Sequence, residues 1–323
     1  TRNTPSEEQI QTGAKDAAFE NYKSFFIEAL WKVYPTWGAE VGYHKYDSVL
    51  SIPDAANGEL QLKFITSNLD SLKKYSLNEL SDNNKTDYYM IENQLKSTKW
   101  RLEEEKAHEW NPSNYNVCSS FALLLNEKYD SLDTRLHNFH LKMKSIPAYY
   151  EAAKQNIKNP TTEHTQLAIE QNTGGLSVFE SELQAALKQS HLSEKEKNEI
   201  SEQAKKSVAA IKSYADWLKK LDNKTPRSFR LGKELYAKKF EYEIQSGYTV
   251  DQIYDKAVEH KKELHEKMFV LADRLWSKYM GNKAKPEEKL VLIKDVIDQI
   301  SLKHTTAEAF QSTIEKQLPE LVS

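Results

Sequence analysis

Two His-Glu pairs, His108-Glu109 and His265-Glu266, are the residues whose types come closest to hydrolytic chemistry. A zinc hydrolase on a helix needs two His at i and i+4 with a Glu beside the first to activate the metal-bound water. Pro112 stands four residues after His108 and Phe269 four after His265, so neither pair completes the motif. Asp133, His137 and His140 lie on successive helical turns and could converge on a metal, although two His at that spacing also line polar seams or face solvent. His260 and His265 are five residues apart and fall on different sides of a helix. A di-iron bundle would need Glu-x-x-His on two helices, and only Glu105 to His108 matches. Cys118, the only cysteine, sits in an apolar run and reads as a small buried hydrophobe. There is no Gly-x-Ser-x-Gly turn and no phosphate-binding glycine loop.

The stretch RSFRLGKELYAKKF, Arg227 to Phe240, follows a Pro-containing loop and leads into a helix. Backbone N–H groups at that helix start, with Arg230, Lys233 and Tyr236 nearby, form a candidate substrate-lining site for a carboxylate or peptide terminus. The plainer reading gives solvated charges and a loop glycine, Gly232, that admits a tight helix entry. Trp31, Tyr34, Trp37, Tyr43 and Tyr46 could likewise line a sugar or peptide groove. A helix end and loop pinned on the core is the favoured reading.

The elements that must position these residues are helical. With 9 Gly and 9 Pro in 323 residues, the punctuation leaves room for long helices and almost none for hairpins. The expected fold class is all-α, a multi-helix array of long antiparallel neighbours with no significant sheet. A first helix is expected over Lys15 to Val33, with Phe19, Tyr22, Phe26, Ile27 and Leu30 as its apolar stripe. Others are expected near Ala55 to Tyr75, Asn84 to His108, Asn116 to Asn126 and Leu132 to Lys158, the last broken or kinked at Pro147. Helix resumes after Pro160 and loosens at Gly174-Gly175. Capping boxes predict helix starts at Ser193/Glu196, Thr249/Gln252 and Thr305/Glu308, and Pro286 is placed in a first turn. Residues 1–323 are expected to form one helical domain, with a possible sub-boundary near 222–230.

Net charge is −3, which gives no basis for an electrostatic search along nucleic acid. No apolar run approaches a membrane span. The first residue is Thr, which implies a processed or cut start. The C-terminal pattern runs helical into its last residues, so the chain is expected to be the N-terminal part of a longer protein.

Four ordered stretches, ALWKVYPTWGAEVGYHKYD, WNPSNY, IPAYYEAAKQNI and FRLGKELYAKKFEYEIQSGYTVDQIYDKA, resemble the bacterial proteins grouped as domain of unknown function 885. The resemblance spans most of the chain. It implies a zinc-peptidase-like protein whose His-Glu-x-x-x-Gly-His-like segment follows the helical region, with zinc as cofactor of the full-length protein and none held by this part. No catalytic residue carries over. The expected function is therefore a helical region that shapes the cleft for a peptide substrate and has its own missing C-terminal catalytic region as partner, inactive alone and leaving an apolar surface bare where that region docks. A non-catalytic helical module binding a peptide, glycan or protein is the alternative. The expected location is outside the cytoplasm, in the periplasm or as a lipoprotein, while the single cysteine also fits a reducing compartment.

Overall fold

Helix α1 (Glu7–Val33) carries its apolar residues at helical steps, and Phe19, Phe26, Leu30 and Val33 are buried along one stripe. Ile27 is the correction to that stripe, because it lies one step around the helix from Phe26 and faces outward. The computed structural model describes residues 7–322, with side chains described for residues 15–322. The processed start inferred from Thr1 lies outside the described residues. Every regular element among the described residues is helical.

After α1 come α2 (Pro35–Glu40), α3 (Ala55–Leu72), α4 (Asp82–Trp100), α5 (Ala107–Trp110), α6 (Cys118–Asn126), α7 (Leu132–Met143) and α8 (Ile146–Asn156). They are followed by α9 (Thr162–Gly174), α10 (Ser181–Gln189), α11 (Glu194–Lys219) and α12 (Lys233–Ile244). The last three are α13 (Val250–Met280), α14 (Lys289–Ser301) and α15 (Phe310–Val322). Contacts divide the chain into two units, Thr1–Tyr242 and Glu243–Ser323, with the division inside α12 and beyond the 222–230 loop.

In the first unit α1, α3 and α4 enclose one core, in which Phe26 stacks on Phe64 with ring centres 5.7 Å apart. A second core gathers α6 to α11 around Phe121, Phe139 and Phe179. Helix α11 contributes Ile200, Ala204, Ser207, Ile211, Tyr214 and Leu218, a three- and four-residue alternation that keeps one face on α8 and α9. Its start at Ser193 is a complete capping box, as the spacing to Glu196 predicts.

The expected helix from Leu132 to Lys158 is broken at Lys144-Ser145, where Pro147, with no N–H to donate, occupies the first turn of α8. Gly174-Gly175 does end α9, but the two glycines differ in role. A Cβ on Gly175 would stand 2.4 Å from Cys118 Sγ, whereas one on Gly174 would meet nothing within 4 Å. Gly175 is thus required by the close approach to α6.

In the second unit α13 and α14 form an antiparallel pair. Lys285 binds Asp273 at 2.6 Å and Lys289 binds Glu266 at 2.7 Å, so pairs grow further apart in sequence away from the turn. Thr249 and Gln252 form the predicted capping box at the start of α13. Two other expected starts are corrected. Pro286 lies ahead of α14, because Trp276 Nε1 donates to the Lys283 carbonyl at 2.9 Å and Lys285 is held on Asp273, fixing the chain before the helix begins. Thr305 shares a hydrogen bond with Thr313, and Thr306 accepts the Ala309 N–H, so α15 starts at Phe310 and not at a Thr305/Glu308 box.

Candidate functional site

The expected helix over Asn84 to His108 does not run through. Helix α4 passes into a π-helical turn at Arg101–Glu105, and Lys106 then adopts the left-handed conformation with φ 50°. That sequence of a widened turn and a non-glycine left-handed residue swings the chain so that α5 projects His108 away from the α4 axis. Trp110 is nearly buried, and its Nε1 donates to the Glu105 carbonyl at 2.8 Å, which locks the turn.

The segment that follows, Trp110 to Tyr115, is bound to the second core on several sides. Tyr214 donates to the Pro112 carbonyl at 3.2 Å, and Asn172, fully buried, donates to the Tyr115 carbonyl at 3.2 Å. Tyr115 in turn donates to the His108 carbonyl at 2.7 Å and accepts from Asn156 Nδ2 at 3.1 Å. The same Asn156 amide donates to the Pro53 carbonyl at 2.6 Å, immediately before Asp54 caps α3. Asn156 therefore ties together the end of α8, the entry to α3 and the Trp110–Tyr115 segment.

These walls bound a cleft of about 470 Å³ whose lining includes Leu62, Leu102, His108, Asn114 and Asn156. Burial, with Lys158 and Lys106 acting in the same direction against Glu109, holds the His108 imidazole below its ordinary range. It is neutral at pH 7 and can both donate and accept a hydrogen bond. Glu109 is engaged elsewhere, since Lys158 binds its carboxylate at 2.6 Å and holds its pKa down. A half-polar cleft with a neutral imidazole, the side-chain amides of Asn57, Gln61 and Asn114, and the carboxylates of Asp54 and Glu59 can bind a peptide backbone or a polyol.

The residues singled out from sequence are distributed differently. Arg230, Lys233 and Tyr236 are exposed at the start of α12, and none of them lines this cleft. Gly232 has φ 83° and supplies the tight entry to that helix. Arg227 is the cation that the sequence reading missed. Its guanidinium lies 4.2 Å from the centre of the Trp110 ring and so fastens the 222–230 loop to the start of the Trp110–Tyr115 segment, outside the cleft lining itself.

Asp133, His137 and His140 are not brought together. The Asp133 carboxylate accepts the His191 backbone N–H at 3.0 Å, His137 is exposed, and His140 lines a separate surface groove with Lys144 and Glu199. Among the described residues no group of three His, Cys, Asp or Glu side chains is placed to hold a metal ion. The described residues therefore do not fit the zinc that the resemblance implies. Cys118 is buried and the loss of solvation pushes its thiol up to about 11, which makes it an inert packing group at neutral pH.

The aromatic stretch after α1 is pinned to the core. Trp31 and Trp37 meet edge to face at 5.2 Å, and Tyr34 packs on Phe64. Tyr43 and Tyr46 both donate to Glu28, where Lys45 also binds at 2.5 Å. Those three hydrogen bonds, led by Lys45, hold the Glu28 carboxyl down at about 2. Beside them His44 stacks on Tyr129 at 3.4 Å, and both side chains bind the buried Asp47 carboxylate.

Comparison with known proteins agrees with this architecture. A solved structure from Shewanella oneidensis, described as a presumed lipoprotein of unknown function, superposes on 94% of this chain with a TM-score of 0.84 and 39% sequence identity. The match takes in only 56% of that protein's chain. No curated protein matches. Among the described residues no helix is long and apolar enough to cross a membrane. Residues 35–322 match the family described as "Bacterial protein of unknown function (DUF885)", and the chain belongs to that family.

Proposed function

We propose that the chain is the helical, cleft-forming part of a longer, exported zinc-dependent hydrolase acting on peptides. The observation that carries this reading is the cleft of about 470 Å³ beside His108 and Asn156, built around one of the stretches that carry the family resemblance. Its neutral imidazole and the Asn114 side-chain amide suit the alternating donors and acceptors of a peptide backbone. In this reading the zinc ligands and the catalytic base lie outside the described residues, in a segment of the longer polypeptide that acts as partner to this one. Arg230, Lys233 and Tyr236 serve as outlying contacts for a substrate carboxylate. Export is supported by the Shewanella protein, which is described as a presumed lipoprotein.

His108→Ala and Asn114→Ala, made in the full product of the gene, test the cleft. Each removes a side-chain hydrogen bond worth ~1 kcal/mol to bound substrate. KM for a peptide is expected to rise about fivefold to tenfold with kcat nearly unchanged, the signature of lost uniform binding. If neither variant moves KM, the substrate binds elsewhere.

A further inference from the structure

The second unit carries apolar surface that nothing in it covers. Helix α15 presents Phe310, Ile314, Leu318 and Leu321 at steps of four, four and three, which places them on one stripe. Their exposures are 60%, 39%, 52% and 81%, and α15 buries none of its residues. On α13, Leu264, Met268 and Leu271 form a second exposed stripe, beside the residues that pack on α14. A helix of about 13 residues is marginal in water on its own and draws its stability from packing an apolar face. An amphipathic helix with that face bare is an interface lacking its partner.

We propose that these faces of α13 and α15 seat a further part of the same polypeptide, the part by which the Shewanella relative exceeds this chain. The relative shares this helical array across 94% of our chain, yet the shared part is 56% of its own length. That protein thus carries this array together with a comparable mass of additional protein, available in cis at high effective concentration. The occupant presents an apolar surface of its own, since the stripes offer hydrocarbon and no charge. This assignment shares with the proposed function the premise of a longer polypeptide, but not its chemistry.

The test is amide hydrogen exchange on this chain and on the full product of its gene. In this chain alone, the amides of α15 are expected to exchange at close to unfolded-peptide rates. In the full product they are expected to slow by a factor on the order of a hundred. Ile314→Asp with Leu318→Asp in the full product should abolish that protection and leave α11 protected. Equal exchange in both proteins overturns the proposal, as does a gene that encodes nothing further. Protection that appears in this chain alone and grows with protein concentration also overturns it, because a second copy is then the occupant. Activity plays no part in the readout. An inactive full product with α15 protected would count against the hydrolase alone, and an active one with α15 bare against the docking alone.

Discussion

Lys142→Met is expected to stabilise the chain by ~3 kcal/mol at pH 7, with the gain shrinking as pH rises above 8. Lys142 is 1% exposed, and its ammonium has one long hydrogen bond, 3.4 Å to the Ser120 carbonyl, with the Phe121 ring centre 5.2 Å away. Burial lowers its pKa from 10.5 to about 8, against the opposing pull of Asp47 and Glu40. The groups that face it from α2, the following turn and α6 are thus Glu40, Asp47, the Ser120 carbonyl and the Phe121 ring. At pH 7 the folded chain bears the full cost of a poorly solvated charge.

The sign of the pH dependence follows from the protons. Between pH 8 and 10.5 the unfolded lysine is protonated while the folded one is losing its proton, so stability rises with pH. Cys118 acts in the opposite sense from pH 9, because its thiol stays protonated in the fold up to about 11. Above pH 10 the buried tyrosines, Tyr150 and Tyr214 among them, keep their protons in the fold while the unfolded chain loses them, and lower stability further. Urea unfolding of the natural chain should therefore show stability rising from pH 8 to 9, levelling, and falling beyond 10. The Lys142→Met variant should lose the rise and decline from pH 9. If that variant is less stable than the parent at pH 7, attraction to Asp47 outweighs burial.

Phe121→Ala is expected to cost about 3–5 kcal/mol, the range for an aromatic removed from a closed core. Phe121 is fully buried where α6, α7 and the segment before α10 meet, with the Phe139 and Phe179 rings at 4.8 and 4.9 Å. No exposed neighbour can collapse into the space. For a unit of this size the loss corresponds to a fall of roughly 10 °C in Tm. It also strips the ring face from the Lys142 ammonium, so the double change with Lys142→Met should cost less than the sum of the two measured singly. Additive effects within ~0.5 kcal/mol would mean that the ring does not help to hold the charge.

What could be read from sequence was the chemistry that acts over one or two helical turns. The capping boxes at Ser193 and Thr249 need only residues i and i+3, and both formed. The stripe of α1 was legible apart from Ile27, whose exposure depends on how far α3 and α4 wrap around the helix. The starts of α14 and α15 were misplaced because side-chain hydrogen bonds of Trp276, Lys285 and Thr313, to partners 7, 12 and 8 residues away, hold the preceding chain out of the helix in a way that no capping spacing encodes. The cleft was illegible for the same reason. It joins His108, Asn114 and Asn156 through a π-helical turn, a left-handed Lys106 and an amide bridge to Pro53, none of which leaves a periodic trace. Arg227 was passed over in favour of Arg230 because only the fold brings Trp110 beneath it. Conversely, the spacing of Asp133, His137 and His140 is suitable for a metal, yet their helix turns them toward His191, solvent and a surface groove.

The most direct test of the proposed role is zinc content and peptide hydrolysis, measured side by side for this chain and for the full product of its gene in the same buffer. Stoichiometric zinc and turnover confined to the longer protein are the predicted result. Tightly bound metal or turnover in this chain alone, or an absence of both from the longer protein, would contradict it.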